Sequence, residues 1–101
     1  MKIMISQPMR GKTNEQIRQE REELVEKLKQ QGHKVLNSIF SGEMPIECDM
    51  PIFLLAKSIE VLSKTDAVVF MKGWEKARGC KIEHEVAVQY GKKVYYDNSE
   101  E

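Results

Sequence analysis

The sequence predicts an α/β fold, a parallel sheet of about four strands with helices on both faces, and three observations predict it. Short apolar runs of strand length alternate along the chain with longer segments of helical period. The run from Asp66 to Met71 is apolar without alternation after its first residue, as a central parallel strand buried on both faces requires. Capping and breaking residues stand where helices would begin and end.

The first strand is Lys2 to Ser6, and it stops at Gln7-Pro8. Thr13, followed three positions later by Gln16, forms a capping-box signature for the first helix. Ile17, Leu24, Val25 and Leu28 make its apolar face, and Arg18, Gln19, Glu22, Glu26 and Lys29 its solvated one. Gln31-Gly32 ends it, and Lys34 to Asn37 reads as a short second strand. Ser38 to Asp49 has no period and contains Gly42 and Pro45; its length is that of a lid or binding loop. A second helix starts near Asp49, tolerates Pro51 in its first turn, and carries Ile52, Leu55, Ala56, Ile59 and Leu62 on one face. After the third strand and the loop Lys72 to Arg78 comes a third helix, closed by Gly91, and a last strand from Lys93 to Tyr96. Right-handed crossovers arrange these as a three-layer, flavodoxin-like or Rossmann-like sheet in order 2-1-3-4. Residues 1–97 form a single domain and 98–101 a polar tail. In that order the chain reverses between strands one and three, so their C-terminal loops open a ligand crevice.

Sixteen basic and sixteen acidic residues cancel and are interspersed, which leaves no footprint for bulk nucleic acid or an anionic membrane. No apolar run reaches the length of a membrane span, and no secretory pattern opens the chain, so the expected location is cytoplasmic. Cys48 and Cys80 have neither CxxC spacing nor accompanying histidines at ligand spacing. No metal and no cofactor is expected. At 101 residues the domain buries only about two-thirds of its unfolded surface, and a homo-oligomer, dimer or higher, is expected.

The candidate site begins with Glu83. At about 100° per residue, Ile82, Val86, Tyr90, Glu83 and Ala87 share one arc of the third helix, while His84, Glu85 and Gln89 fall outside it. A carboxylate inside an apolar stripe is either a rim position or a functional group whose burial raises its pKa against the pull of the helix N-terminus. Cys80 near that N-terminus, with His84 one turn away, is a second candidate pair. The loop from Gln7 through Pro8, Met9, Arg10 and Gly11 to Lys12 combines backbone N–H groups and two cations, a workable anion cradle that lacks the P-loop spacing. In the other crevice loop, Gly73, Trp74, Arg78 and Gly79 offer a flat face for a base or, equally, a lid over the sheet edge. Arg78 is placed either to neutralise Glu83 or to hold a ligand.

The stretch Gly79-Cys80-Lys81-Ile82-Glu83-His84-Glu85-Val86-Ala87-Val88-Gln89-Tyr90-Gly91-Lys92-Lys93-Val94 resembles the ExxxAxxxGKxV segment of the nucleoside 2-deoxyribosyltransferase superfamily. The opening KIMISQPMRGKT resembles that superfamily's first strand and loop, and GWEKARGCKIEHE is similar to a block of its small uncharacterised bacterial and phage branch. The resemblance implies that Glu83 attacks C1′ of a deoxynucleoside and forms a covalent deoxyribosyl intermediate, in keeping with an oxocarbenium-like transition state that needs an anion. It also implies, from the related 2′-deoxynucleoside 5′-phosphate N-hydrolases, that Arg10 meets a phosphate. The chain departs from the pattern at Ser58, where many members carry aspartate, at Ala77, where they carry Asp or Ser, and at Gln7, where glycine is common. Ser58 is expected to replace part of the missing aspartate's hydrogen bonding. The expected ligand is a small nucleotide or nucleoside. The rival expectations are a non-catalytic nucleotide or nucleotide-sugar binding module on the same fold, and an adaptor that works through its surface helices.

Overall fold

The structure, a computed structural model, describes residues 1–40, 42, 43, 45 and 47–97. It contains the strands β1 (Lys2–Ser6), β2 (Lys34–Leu36), β3 (Ala67–Met71) and β4 (Lys93–Asp97), and the helices α1 (Asn14–Gln30), α2 (Met50–Leu62) and α3 (Arg78–Gln89). The four strands form one all-parallel sheet in the order β2-β1-β3-β4. This is a flavodoxin-like α/β architecture, and the sequence predicts both its class and its strand order. The polar tail, residues 98–101, and positions 41, 44 and 46 of the long loop lie outside the described residues.

Local chemistry sets the element ends. The Thr13 side chain accepts from the Gln16 backbone N–H while the Gln16 side chain accepts from the Thr13 N–H, at 3.1 and 2.9 Å, completing the capping box of α1. Asp49 caps α2 by accepting from Ile52 N–H, with Pro51 in the first turn where its missing donor costs nothing. Every residue of β3 is buried, as a central parallel strand demands.

Alternation along the strands divides the interior into two clusters. Ile3, Ile5, Ala67, Val69 and Met71 face α1 through its Leu24 and Leu28. Met4, Val68 and Phe70 face the other side, where Leu62 of α2 and Ala87 of α3 cover them. The crossover direction explains this: β1 to β2 runs one way along the sheet, and β2 to β3 and β3 to β4 run the other, so a fixed right-handed turn places α1 opposite α2 and α3.

The predicted helix faces differ from the structure at Tyr90, Ile82, His84, Ile52 and Ala56, the last of which is also exposed on α2. Tyr90 is not part of a buried stripe: it is the C-cap of α3 and 78 % exposed. Ile82 is also largely exposed, whereas His84 turns inward against Phe70. Cys80 and Ala87 are buried with Glu83, so α3 is rotated toward Cys80 and His84 relative to the predicted arc, in which Ala87 already lay. On α2, Ile52 points outward at 65 % exposed.

Candidate functional site around Glu83

Ser6, Phe70 and Tyr96 are consecutive partners across β1, β3 and β4, so parallel register lines up their side chains on the α2/α3 face at the C-terminal ends of the strands. Two adjacent residues of α3 descend on this row. Glu83 meets Ser6, whose hydroxyl donates to Oε1 at 2.6 Å. His84 packs edge-on against Phe70, and its Nε2 hydrogen-bonds the Tyr96 hydroxyl at 2.6 Å.

Glu83 is only 7 % exposed and Ser6 only 2 %. Burial pushes the carboxyl above its ordinary range; hydrogen bonds from Ser6 and Ser58 and the positive potential of Arg21 pull it back. Of the rim and buried positions left open for this carboxylate, the buried one is present. The predicted counterweight is not: α3 begins at Arg78, so Glu83 lies in the second turn, beyond the first turn where the helix dipole acts strongly. Hydroxyls and a cation from α1 take its place. Ser58, half-buried on α2, lies close enough to the carboxylate to favour its ionised form.

Arg21 is absent from the residues predicted above, although it stands in the apolar stripe of α1 between Ile17 and Leu24. It is buried at 9 % exposed, with its guanidinium donating to Gln7 Oε1 at 3.2 Å and to Ser38 Oγ at 3.0 Å. Both acceptors are oriented by the backbone: Gln7 Nε2 donates to Ile17 O and Ser38 Oγ donates to Ile5 O. Burial pulls Arg21 below its ordinary value and Glu83 holds it up. Arg78, predicted as a possible neutraliser of Glu83, is exposed, and the cation that acts on the carboxylate is Arg21.

The family model for Domain of unknown function (DUF4406) matches residues 1–96, a span that contains every residue of this network. The chain belongs to the DUF4406 family. No curated protein matches it.

The remaining predicted residues of this DUF4406 domain surround the network unevenly. Gly73 adopts φ +92°, a left-handed conformation suited to glycine, and a Cβ there would stand 3.7 Å from Pro8 Cγ, so the two crevice loops meet at this point. Trp74 opens a 3-10 turn, Trp74–Lys76, and stacks on His84 with centroids 4.2 Å apart and on Tyr96 at 5.6 Å. Met9 and Arg10 are exposed beside Gly11, whose φ is +79°. Gly79 lies in the first turn of α3 with open space beside its Cα. The Cys80–His84 pair does not form: the Cys80 thiol is pushed up by burial and the charge of Glu83, with Ser6 beside it acting the other way, and His84 is engaged by Tyr96. Both cysteines are free thiols.

Arg21 also lines a cleft of about 770 Å³ beside α1, together with Met9, Ile17, Val25 and Ile39. A smaller cleft of about 280 Å³, lined by Lys12, Glu20, Leu24 and Met71, opens at another flank of α1. Glu83 lines neither, so Arg21 is the link between the larger opening and the carboxylate.

Proposed function

We propose that this protein cleaves the N-glycosidic bond of a deoxynucleotide or nucleoside, with Glu83 as nucleophile and water as the preferred acceptor. One observation carries the reading: a buried carboxylate stands at the C-terminal edge of β1, braced by Ser6 and Ser58, where the strand order reverses and parallel α/β sheets place their ligands. The carboxylate attacks C1′ while the bonding pair of the C1′–N bond leaves with the base; water then releases the sugar from the ester. The positive charge spread over C1′ and the ring oxygen in the transition state is matched by the fixed anion. Arg10 and the backbone N–H groups of Met9, Arg10 and Gly11 hold the phosphate in this reading, with Gln7 and Pro8 shaping the loop, Gly73, Arg78 and Gly79 along the second loop and Trp74 beside the base. The likeness of the Glu83 segment to the nucleoside 2-deoxyribosyltransferase superfamily supports the same assignment, as does the flavodoxin-like sheet.

The proposal includes a homo-oligomer. Supporting it, Met50, Ile52 and Leu54 of α2 and Ile82 of α3 are exposed on adjacent helices, and sizing chromatography tests it. It also includes a cytoplasmic setting, in keeping with two free cysteines. No helix among the described residues is long and apolar enough to cross a membrane.

The test is release of free base from a panel of deoxynucleoside monophosphates and nucleosides, followed by chromatography. Wild type releases base from at least one of them, and Glu83→Gln is slower by about 10³-fold or more, the scale of loss when a nucleophile is removed. A second reading, a non-catalytic nucleotide-binding module, is favoured by Ala77, which gives the N-terminus of α3 no side-chain hydrogen bond. Under it, a nucleotide raises Tm by binding the native state and no base appears.

A further inference from the structure

A buried guanidinium normally sits against a carboxylate, because taking a cation out of water costs several kcal/mol unless an anion and good hydrogen bonds repay it. Arg21 departs from this. Its two hydrogen-bond acceptors, Gln7 Oε1 and Ser38 Oγ, are both neutral, and among the described residues no ion pair within 4 Å joins it to a carboxylate. Glu83 acts on it through space. A guanidinium has five N–H donors in a planar fork, and those two acceptors leave the fork capacity to spare.

The same residue lines the cleft of about 770 Å³ beside α1, well within the size range of small-molecule sites. Ile17, Val25, Ile39 and Met9 supply apolar wall. Arg18, Lys29, Glu22 and Glu26 line the cleft as well; Arg18 is already committed to Glu15 and Glu22, whereas among the described residues Arg21 has no carboxylate within 4 Å. From these contacts we infer that the cleft beside α1 binds a small organic oxyanion, its phosphate or carboxylate held by Arg21 and its apolar body against Ile17, Val25 and Ile39. Planar bidentate pairing with an oxyanion is the contact a guanidinium makes best. The inference stands independently of glycosidic chemistry, since it requires neither turnover nor a nucleoside.

A coupling follows from the shared residue. An anion on Arg21 competes with Glu83 for the same positive potential, so binding in the cleft and the negative charge on Glu83 oppose each other, and the opposition is reciprocal. Removing the charge of Glu83 therefore tightens the anion.

Calorimetric titration with phenyl phosphate and with benzoate tests this, with phenol as the uncharged control. Wild type binds at least one of the two anions more tightly than phenol; the preferred one identifies the oxyanion. Arg21→Met lowers the affinity by about tenfold or more. Glu83→Gln raises it by about fivefold or more, the lower end of typical couplings. Lys64→Met leaves it within about twofold, because that side chain is exposed, follows α2 on the other side of the sheet and lines no part of the cleft. Methyl shifts of Ile17, Val25 and Ile39 on titration place the ligand in the cleft. Circular dichroism checks the fold of Arg21→Met, and the Glu83→Gln arm, which keeps Arg21, reads the coupling even where that variant is unstable. Binding no tighter than phenol, unchanged affinity in a folded Arg21→Met, or unchanged or weaker affinity in Glu83→Gln overturns the inference.

Discussion

Replacing Ser6 by alanine removes a 2.6 Å hydrogen bond to a carboxylate that stays buried, and the loss should depend on pH in a defined way. A hydrogen bond to a charged group is worth about 1.5–3 kcal/mol, and one between neutral groups about 0.5–1.5 kcal/mol. Above the titration of Glu83, where the carboxyl is ionised, Ser6→Ala should therefore cost about 1.5–3 kcal/mol, or roughly 6–24 °C in Tm for a domain of this size. Below the titration of Glu83 the cost should fall to the neutral figure. The sign comes from linkage. Burial raises the folded value of Glu83 above its ordinary 4.5, so over that interval the native state holds a proton the unfolded chain has released, and stability declines as pH rises through the folded value. Ser6 moderates that decline, and the variant should show a steeper one that continues to higher pH. Urea unfolding of both proteins between pH 4 and pH 8 measures the difference; other carboxylates are common to both and cancel. In a Glu83→Gln background the pH dependence of the Ser6→Ala cost should vanish. An equal cost below and above that titration, or a cost under about 0.5 kcal/mol above it, would refute the bracing of Glu83 by Ser6.

Leu24→Ala should destabilise by about 2–5 kcal/mol, because Leu24 is 5 % exposed and joins α1 to the sheet; a shift of the urea midpoint with unchanged slope checks it. Base release should rise with pH through the titration of Glu83, since only the carboxylate attacks C1′, and that titration lies above the ordinary carboxylate value. Arg21→Met should move the rise to higher pH, because Arg21 favours the ionised form. A profile that moves to lower pH, or not at all, contradicts the link between α1 and the carboxylate.

The strands and their order were legible in the sequence because parallel central strands leave unbroken apolar runs, and because capping residues such as Thr13 and Asp49 act within four positions. Glu83 was legible by the same logic, as a charge out of place on an apolar face. That logic also reaches Arg21. Ile17, Arg21, Leu24 and Leu28 recur at intervals of four, three and four, so Arg21 occupies the gap in the stripe of α1; its burial was signalled, although its partners were not. Gln7 and Ser38 reach it from two loops whose courses depend on tertiary packing. The rotation of α3 was misjudged for a related reason. A helical wheel gives the relative angles of Glu83, His84 and Tyr90 but not the direction of the sheet, which close approach at Cys80 and Ala87 decides. Tyr90, at the C-cap, no longer follows the wheel at all.

The central claim is that the Glu83 carboxylate bonds to a sugar carbon. Intact-mass spectrometry after acid quench of a single turnover, followed by peptide mapping, tests it most directly. With the deoxynucleotide or nucleoside that releases base, wild type should carry one deoxyribosyl adduct, as its 5′-phosphate where a nucleotide is the substrate, on the peptide holding Glu83, and Glu83→Gln should carry none. Base release at equal rates from both proteins, with no adduct on either, would contradict it.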